Sequence, residues 1–438
     1  MKNLAPILIT RLTHEGRGIA HIDGKTTFVE NALPGETVSI AYLRKHRQYD
    51  EAQAIEILNP SLDRTIPLCP HYSICGGCRL QHLNTDAQLQ HKENALLAQL
   101  AHTAGIKPKI LLPPLRATSW GYRRRARLGV KYVTKKQAVL VGFREKNGRY
   151  LAQLQGCETL DSKVAQLISP LQRLISSLKA YQVIPQIEVA LGDETLALVF
   201  RHLSALATED ETQLKCFAKD YQLQLYLQPG NESTIHCIWP EITPPPLSYR
   251  LHPNGLLTRP LELFFEPADF IQINAAINQS MVSCAMTLLA ANCRDQLLDL
   301  FCGLGNFSLP LATQCQSVIG VEGSPGLVAR ARKNAMHNGI TNTQFYSTDL
   351  TAPIQDNAWA QHTFSKLLLD PPRSGALDII QKISSWALER IVYVSCNPAT
   401  LARDAGELAK QGYSLEQAGI IDMFPHTHHS EIICLFTK

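Results

Sequence analysis

Cys396 stands in the stretch Ser395-Cys396-Asn397-Pro398. The apolar run Arg390–Val394 before it reads as a β-strand, and Pro398 opens a helical pattern. That places the thiol at a strand's carboxyl end, just before a helix, where a thiolate is expected to be stabilised. Asp370-Pro371-Pro372-Arg373 follows a second apolar run, Lys366–Leu369, and Asp299-Leu300-Phe301-Cys302-Gly303-Leu304-Gly305-Asn306 follows the start of a third, Gln296–Leu300. Parallel strands end on one rim of their sheet, so the three motifs are expected to share a site. A thiolate there can add to C6 of a uracil. The addition makes C5 nucleophilic toward a sulfonium methyl, and a base must then remove the C5 proton before the thiol can leave. The stretch Phe424-Pro425-His426-Thr427-His428-His429-Ser430-Glu431 offers such a base in Glu431. Its three histidines and one acid could alternatively bind a metal. They are crowded in one loop without helical i, i+4 spacing, and a loop that delivers Glu431 to the rim fits the chemistry better.

The methyl donor needs a place on the same rim. Gly303 and Gly305 let the backbone approach a ligand where a strand gives way to a helix. Glu322 ends the next strand, 23 residues after Asp299, where an acid can accept bonds from ribose hydroxyls. Asp349 follows the third strand. A lone Gly-x-Gly is an ordinary tight turn, but acids just beyond three successive strands are a stronger pattern. Ser308 stands where the third glycine of a dinucleotide fingerprint would fall, which favours S-adenosylmethionine over NAD.

A second set of reactive side chains lies in the first half. Cys69, Cys75 and Cys78, in Cys-x5-Cys-Gly-Gly-Cys, combine with Cys157 to make four thiolates. They could hold zinc or an iron–sulfur cluster, and the spacing leaves both open. Twelve cysteines in a chain expected to be cytoplasmic argue for metal, catalysis or core packing rather than disulfides.

Together, Asp-Leu-Phe-Cys-Gly-x-Gly-x-Phe, Asp-Pro-Pro-Arg, Ser-Cys-Asn-Pro and Phe-Pro-x-Thr-x-His-x-Glu resemble the RNA uracil-C5 methyltransferase family in order and spacing. The resemblance implies S-adenosylmethionine contacts from Gln272, Phe301, Asn306, Glu322, Asp349 and Asp370. It makes Cys396 the nucleophile and Glu431 the base. It implies a [4Fe–4S] cluster on Cys69, Cys75, Cys78 and Cys157, and a TRAM-type RNA-binding barrel over residues 6–58. Barrel and cluster together imply the ribosomal branch, with 23S rRNA as partner, uracil 1939 as target and no obligate protein partner. The alternatives are another rRNA or tRNA uracil, or a non-catalytic RNA-binding or ribosome-assembly protein, which would leave Cys396 and Glu431 unexplained.

The elements that must position these residues follow from periodicity. Residues 6–58 read as five short strands with glycine corners, a small barrel of the OB type. Thr85–Thr103 reads as a helix, and 126–143 and 187–201 as antiparallel strands. Beyond 266, strands and helices alternate, which implies a parallel sheet covered on both faces. A helix over 267–292 leads in, and strands near 413–421 and 431–437 close it as an antiparallel edge pair. The expected class is α/β. A TRAM-like barrel spans 1–59, an α+β central domain with the iron–sulfur site and a basic stretch spans 60–260, and a Rossmann-like methyltransferase domain spans 261–438. Residues 1–160 hold 23 Lys+Arg against 12 Asp+Glu, although the whole chain of 438 residues carries only +4. The density peaks over 116–149, with eleven Lys+Arg and one acid, Glu145, and within it Arg123-Arg124-Arg125 and Arg127 stand beside Trp120 and Tyr122, a combination that suits phosphates and stacked bases or a solvated face. No apolar run reaches the ~20 residues of a membrane span. No signal-peptide block follows Met1, so the expected location is cytoplasmic.

Overall fold

The computed structural model describes residues 6–146, 148–253, 255–352, 354, 357–386 and 388–438. Its first sheet has six strands in the order Ile7–Leu8, Thr37–Lys45, Tyr49–Asn59, Lys25–Glu30, Gly18–Ile22, Arg11–Leu12. Alternate residues, among them Val29, Val38, Ile40, Ala52 and Ala54, turn inward to form its core. The Thr37–Lys45 and Tyr49–Asn59 hairpin runs longer than the sequence pattern suggests. Buried Glu36 ties this unit to the next segment through Arg64 and the backbone N–H groups of Leu33 and Ser61.

A second six-stranded sheet runs His236–Trp239, Gln224–Gln228, Leu196–Arg201, Gln186–Leu191, Arg125–Val133, Ala138–Gly142. Helices Ile168–Ser177 and Thr208–Asp220 share its apolar core. The hairpin Leu247–Leu251 with Leu261–Phe265 packs elsewhere, in one core with helix Ala275–Leu289. A division at 260/261 therefore cuts through a paired hairpin, since Leu247 pairs with Phe265 and Leu251 with Leu261.

The largest sheet has eight strands. Five are parallel, in the order Thr343–Ser347, Ser317–Glu322, Gln296–Leu300, Lys366–Leu369, Arg390–Ser395. Glu431–Thr437 and Ser414–Ile421 continue it antiparallel. The last pair is not the edge, because Ile110–Leu111 adds a short parallel strand outside Ser414–Ile421. One face is covered by helices Ala275–Leu289 and Pro325–His337. The other is covered by Thr85–Ala104 and Pro398–Lys410, which pack on each other. The helix and short strand between residues 85 and 111 thus belong by packing with the C-terminal sheet rather than with the sheet of residues 125–239.

The lead-in helix starts at Ala275, not 267. Pro267 and a turn closed by Asp269, which accepts from the Glu266 N–H at 2.7 Å, hold the preceding segment out of the helix. Asn274 caps the helix by accepting from the Ile277 N–H. The non-helical stretch leaves Phe270–Gln272 free to line a cavity. No helix among the described residues is long and apolar enough to cross a membrane.

Candidate active site

The strand order reverses at Gln296–Leu300, whose neighbours on the two sides are the strands that follow it first and third in the chain. Ligands of open α/β sheets bind beyond the carboxyl ends of strands at such a point. A cavity of about 820 Å³ opens there. Its lining includes all eight residues expected at the reaction and cofactor sites: Gln272, Phe301, Asn306, Glu322, Asp349, Asp370, Cys396 and Glu431.

The donor side is built by backbone. Phe301 adopts φ +64, Gly303 φ +56 and Gly305 φ +96, so the chain turns sharply out of the strand. A Cβ on Gly305 would meet Leu309 at 3.0 Å. Glu322 accepts from the Gly303 N–H at 3.1 Å and from the Ser324 N–H at 2.9 Å, which fixes its carboxylate at the strand end. Exposed Asp349 accepts from the Thr351 hydroxyl and N–H, and these bonds hold its pKa below the usual value. Asn306 is held by Tyr249, whose hydroxyl donates to Oδ1 at 2.9 Å, and by a reciprocal amide pair with Asn278. Neither partner was expected from the sequence. A buried asparagine on the apolar face of helix Ala275–Leu289 was the available signal for Asn278. Ser308, at the missing third glycine, donates its hydroxyl to buried Asp299.

On the opposite wall, Cys396 ends its strand and Asn397 caps the helix that begins at Pro398. Asn397 and Thr400 also bond the Arg373 carbonyl, so the Asp-Pro-Pro-Arg and Ser-Cys-Asn-Pro turns are tied together. The thiol is not stabilised as a thiolate in the free protein. Burial raises its pKa, Glu431 and Asp370 raise it further, and Arg373 opposes them. Proximity to the helix start does not outweigh that desolvation and the two acids. Glu431 is 4% exposed, and burial, with Asp370 beside it, pushes its carboxyl well above the usual range against the pull of Arg373. Burial pushes Asp370 up to about 7. His429 and Phe424 complete this wall, and burial holds the His429 imidazole down at about 4.

Cys69, Cys75, Cys78 and Cys157 line one small cavity, together with Arg123, Phe143 and Tyr72. Burial raises the Cys69 and Cys75 thiols and pushes Cys78 up to about 12, with the neighbouring cysteines adding to each shift. Among the described residues, no group of three or more His, Cys, Asp or Glu is placed to hold a single metal ion. The four thiols around this one cavity are a soft donor set of the kind that binds zinc or iron–sulfur groups.

Within the basic stretch, most of the arginine cluster is engaged inside the protein. Arg124 pairs with Asp193 at 2.5 Å, Arg125 reaches Glu188 and the Pro267 carbonyl, and Arg123 faces the cysteine cavity. Half-buried Trp120 is stacked on His426, and buried Tyr122 donates to the Pro425 carbonyl. Arg127 alone of the four arginines is largely exposed, and it pairs with Glu188.

A family model described as tRNA (Uracil-5-)-methyltransferase matches residues 259–438, and a TRAM domain model matches residues 5–55. A 23S rRNA (uracil(1939)-C(5))-methyltransferase RlmD from Nitrosococcus oceani is 52% identical, over 98% of this chain and 95% of the relative. The chain belongs to the RNA uracil-C5 methyltransferase family. A second family member of the same description, from Legionella pneumophila, is 46% identical over 98% of this chain and 96% of its own. Among solved structures, the Pyrococcus abyssi tRNA (uracil-54, C5)-methyltransferase in complex with S-adenosyl-L-homocysteine shares the fold. It aligns with a TM-score of 0.73 at 21% identity, over 99% of this chain and 100% of that one. The family's barrel and methyltransferase modules thus fall on the first and last of the three sheets described above.

Proposed function

We propose that this chain transfers the methyl group of S-adenosylmethionine to C5 of uracil 1939 in 23S rRNA, through a covalent bond from Cys396 to C6. The observation that carries the reading is the meeting of Cys396, Glu431, Asp370 and Arg373 on the same cavity as the donor-side residues. The specific target rests on the relatives' substrate, since they match nearly the full chain.

The base must leave its stack to enter the cavity. Gln272, Phe301, Asn306, Glu322 and Asp349 are the residues proposed to hold the donor, with Asp370 between donor and base. Arg373 favours the Cys396 thiolate. The sulfur bonds C6, and the C5–C6 π electrons move to O4. C5 takes the methyl as the donor's sulfur–methyl bond breaks. Glu431, once ionised, takes the C5 proton. The double bond re-forms and C6–sulfur breaks. A carboxylate of raised pKa is a stronger base, so the burial of Glu431 suits proton removal from carbon.

Cys69, Cys75, Cys78 and Cys157 would hold a [4Fe–4S] cluster. The reaction has no redox step, so what the cluster supplies is a staple between the 69–78 loop and the 157 segment.

Cys396→Ala should abolish methylation yet bind donor normally. Glu431→Gln should add and methylate, then stall with a methylated covalent RNA adduct. RNA with 5-fluorouridine at the target should trap the unmodified enzyme. Trapping by Cys396→Ala would overturn the mechanism.

A further inference from the structure

The loop that carries Glu431 is fastened by residues more than 300 positions away. His426 has φ +65, a backbone shape that favours glycine, and its carbonyl accepts from the N–H groups of Arg79 at 2.9 Å and Leu80 at 3.0 Å. Buried Gln88 holds the same residue: its Oε1 accepts from the His426 N–H at 2.9 Å, and its Nε2 lies 3.2 Å from Nδ1. Gln88 also donates to the Leu80 and Leu83 carbonyls, so one amide joins the base loop to the turn after Cys78. The His426 ring stacks on Trp120 with centroids 3.8 Å apart and planes 24° from parallel. Beside them, the Tyr122 hydroxyl holds the Pro425 carbonyl, and the Gly121 N–H donates to the carbonyl of Glu158, next to Cys157.

These contacts converge on one short loop and come from both arms of the cysteine set. None touches the cavity, since Gln88, Trp120 and His426 are absent from its lining. A network of this completeness around a strained residue over-determines the path of the chain just beyond it, and Glu431 lies on that path. We propose that Gln88 and His426 are positioning residues for proton removal, a lock that sets Glu431 against C5 and registers the base loop on the cysteine segment. The inference rests on Glu431 being the base.

Addition and methyl transfer do not need that base, so the lock acts on the last step alone. The test uses the full chain and an rRNA fragment in two forms, with uridine or 5-fluorouridine at the methylated position. Gln88→Met and His426→Gly should trap the fluorinated RNA at rates within about twofold of the unmodified enzyme. On ordinary RNA they should accumulate methylated adduct and turn over on the order of 10- to 100-fold more slowly, the scale of a misplacement of about 1 Å. Gln88→Glu keeps the acceptor for the His426 N–H and should recover part of the rate. Should His426→Gly fail to fold, Trp120→Leu, which removes the stack and leaves the backbone bonds, carries the same comparison. Equal losses of trapping and turnover would overturn the proposal, as would normal turnover without adduct when Glu431→Gln does accumulate it. If Glu431→Gln itself forms no adduct while trapping is intact, the base assignment falls and takes this inference with it.

Discussion

Cys396 is a nucleophile whose surroundings hold its proton on. Burial raises its pKa first and Glu431 and Asp370 raise it further, while Arg373 and a backbone hydrogen bond oppose them. The rate of trapping on 5-fluorouridine RNA requires the thiolate and not the base, so it should climb with pH through neutrality and still be rising at about pH 9. Glu431→Gln removes a carboxyl that, once ionised, opposes the thiolate. The thiol should then ionise more easily, and the trapping limb should move to lower pH although turnover is lost. A limb that stays in place, read from trapping rates across pH, would mean that Glu431 does not face the thiol. Cys396, Glu322, Asp349 and Asp370 were legible from their places one or two positions past apolar runs, Glu431 from the acid its loop offers, and Gln272, Phe301 and Asn306 from the motif resemblance; all eight line one cavity. Sequence was not sufficient for Tyr249, Asn278 or Gln88. Those act through side-chain bonds to residues 28 to 338 positions away, and nothing in their local pattern marks them.

At the scale of elements, periodicity located the five parallel strands closely, since buried strands of an α/β sheet are continuous apolar runs. It failed where a long-range contact decides. Ile110–Leu111 is a two-residue strand that exists only because Ser414–Ile421 offers an open edge. The helix expected from 267 begins at Ala275 because a local turn at Glu266–Asp269 competes with it. The segment 69–80 has almost no regular structure, and a loop of that kind needs another source of order. Protein purified without oxygen should therefore be brown and carry about four irons and four sulfides per chain. Cys75→Ala should lose both, with weakened folding around residues 69–160. Colourless protein with stoichiometric zinc in elemental analysis would overturn the cluster.

For the molecule as a whole, the charge asymmetry between the two ends is real but its acting residues differ from the densest cluster. Arg124 and Arg125 are spent on internal partners, and sequence could not show this because Asp193, Glu188 and Pro267 lie far along the chain. Exposed cations among the described residues include Lys131, Lys135 and Lys136 on the hairpin of the central sheet, and Arg11, Arg44 and Arg47 on the barrel. The barrel lies close to the reaction loop, with the His14 and His428 rings 6.0 Å apart and Arg79 within 3.4 Å of Glu30. An RNA held by both surfaces can present one flipped base to the cavity while its backbone follows the cations. Phosphate contacts release counterions, and each removes roughly 0.7 from the log–log salt slope for single strands, or about 0.9 for duplex. Changing Lys131, Lys135 and Lys136 to Gln should weaken binding of the rRNA fragment and flatten that slope by the corresponding amount, with donor affinity unchanged. Arg124→Gln should instead lower the melting temperature and leave the slope alone, because it breaks a partly buried pair rather than a phosphate contact. If the lysine variant keeps the full salt slope, the hairpin is a solvated face and the RNA path runs along the barrel only.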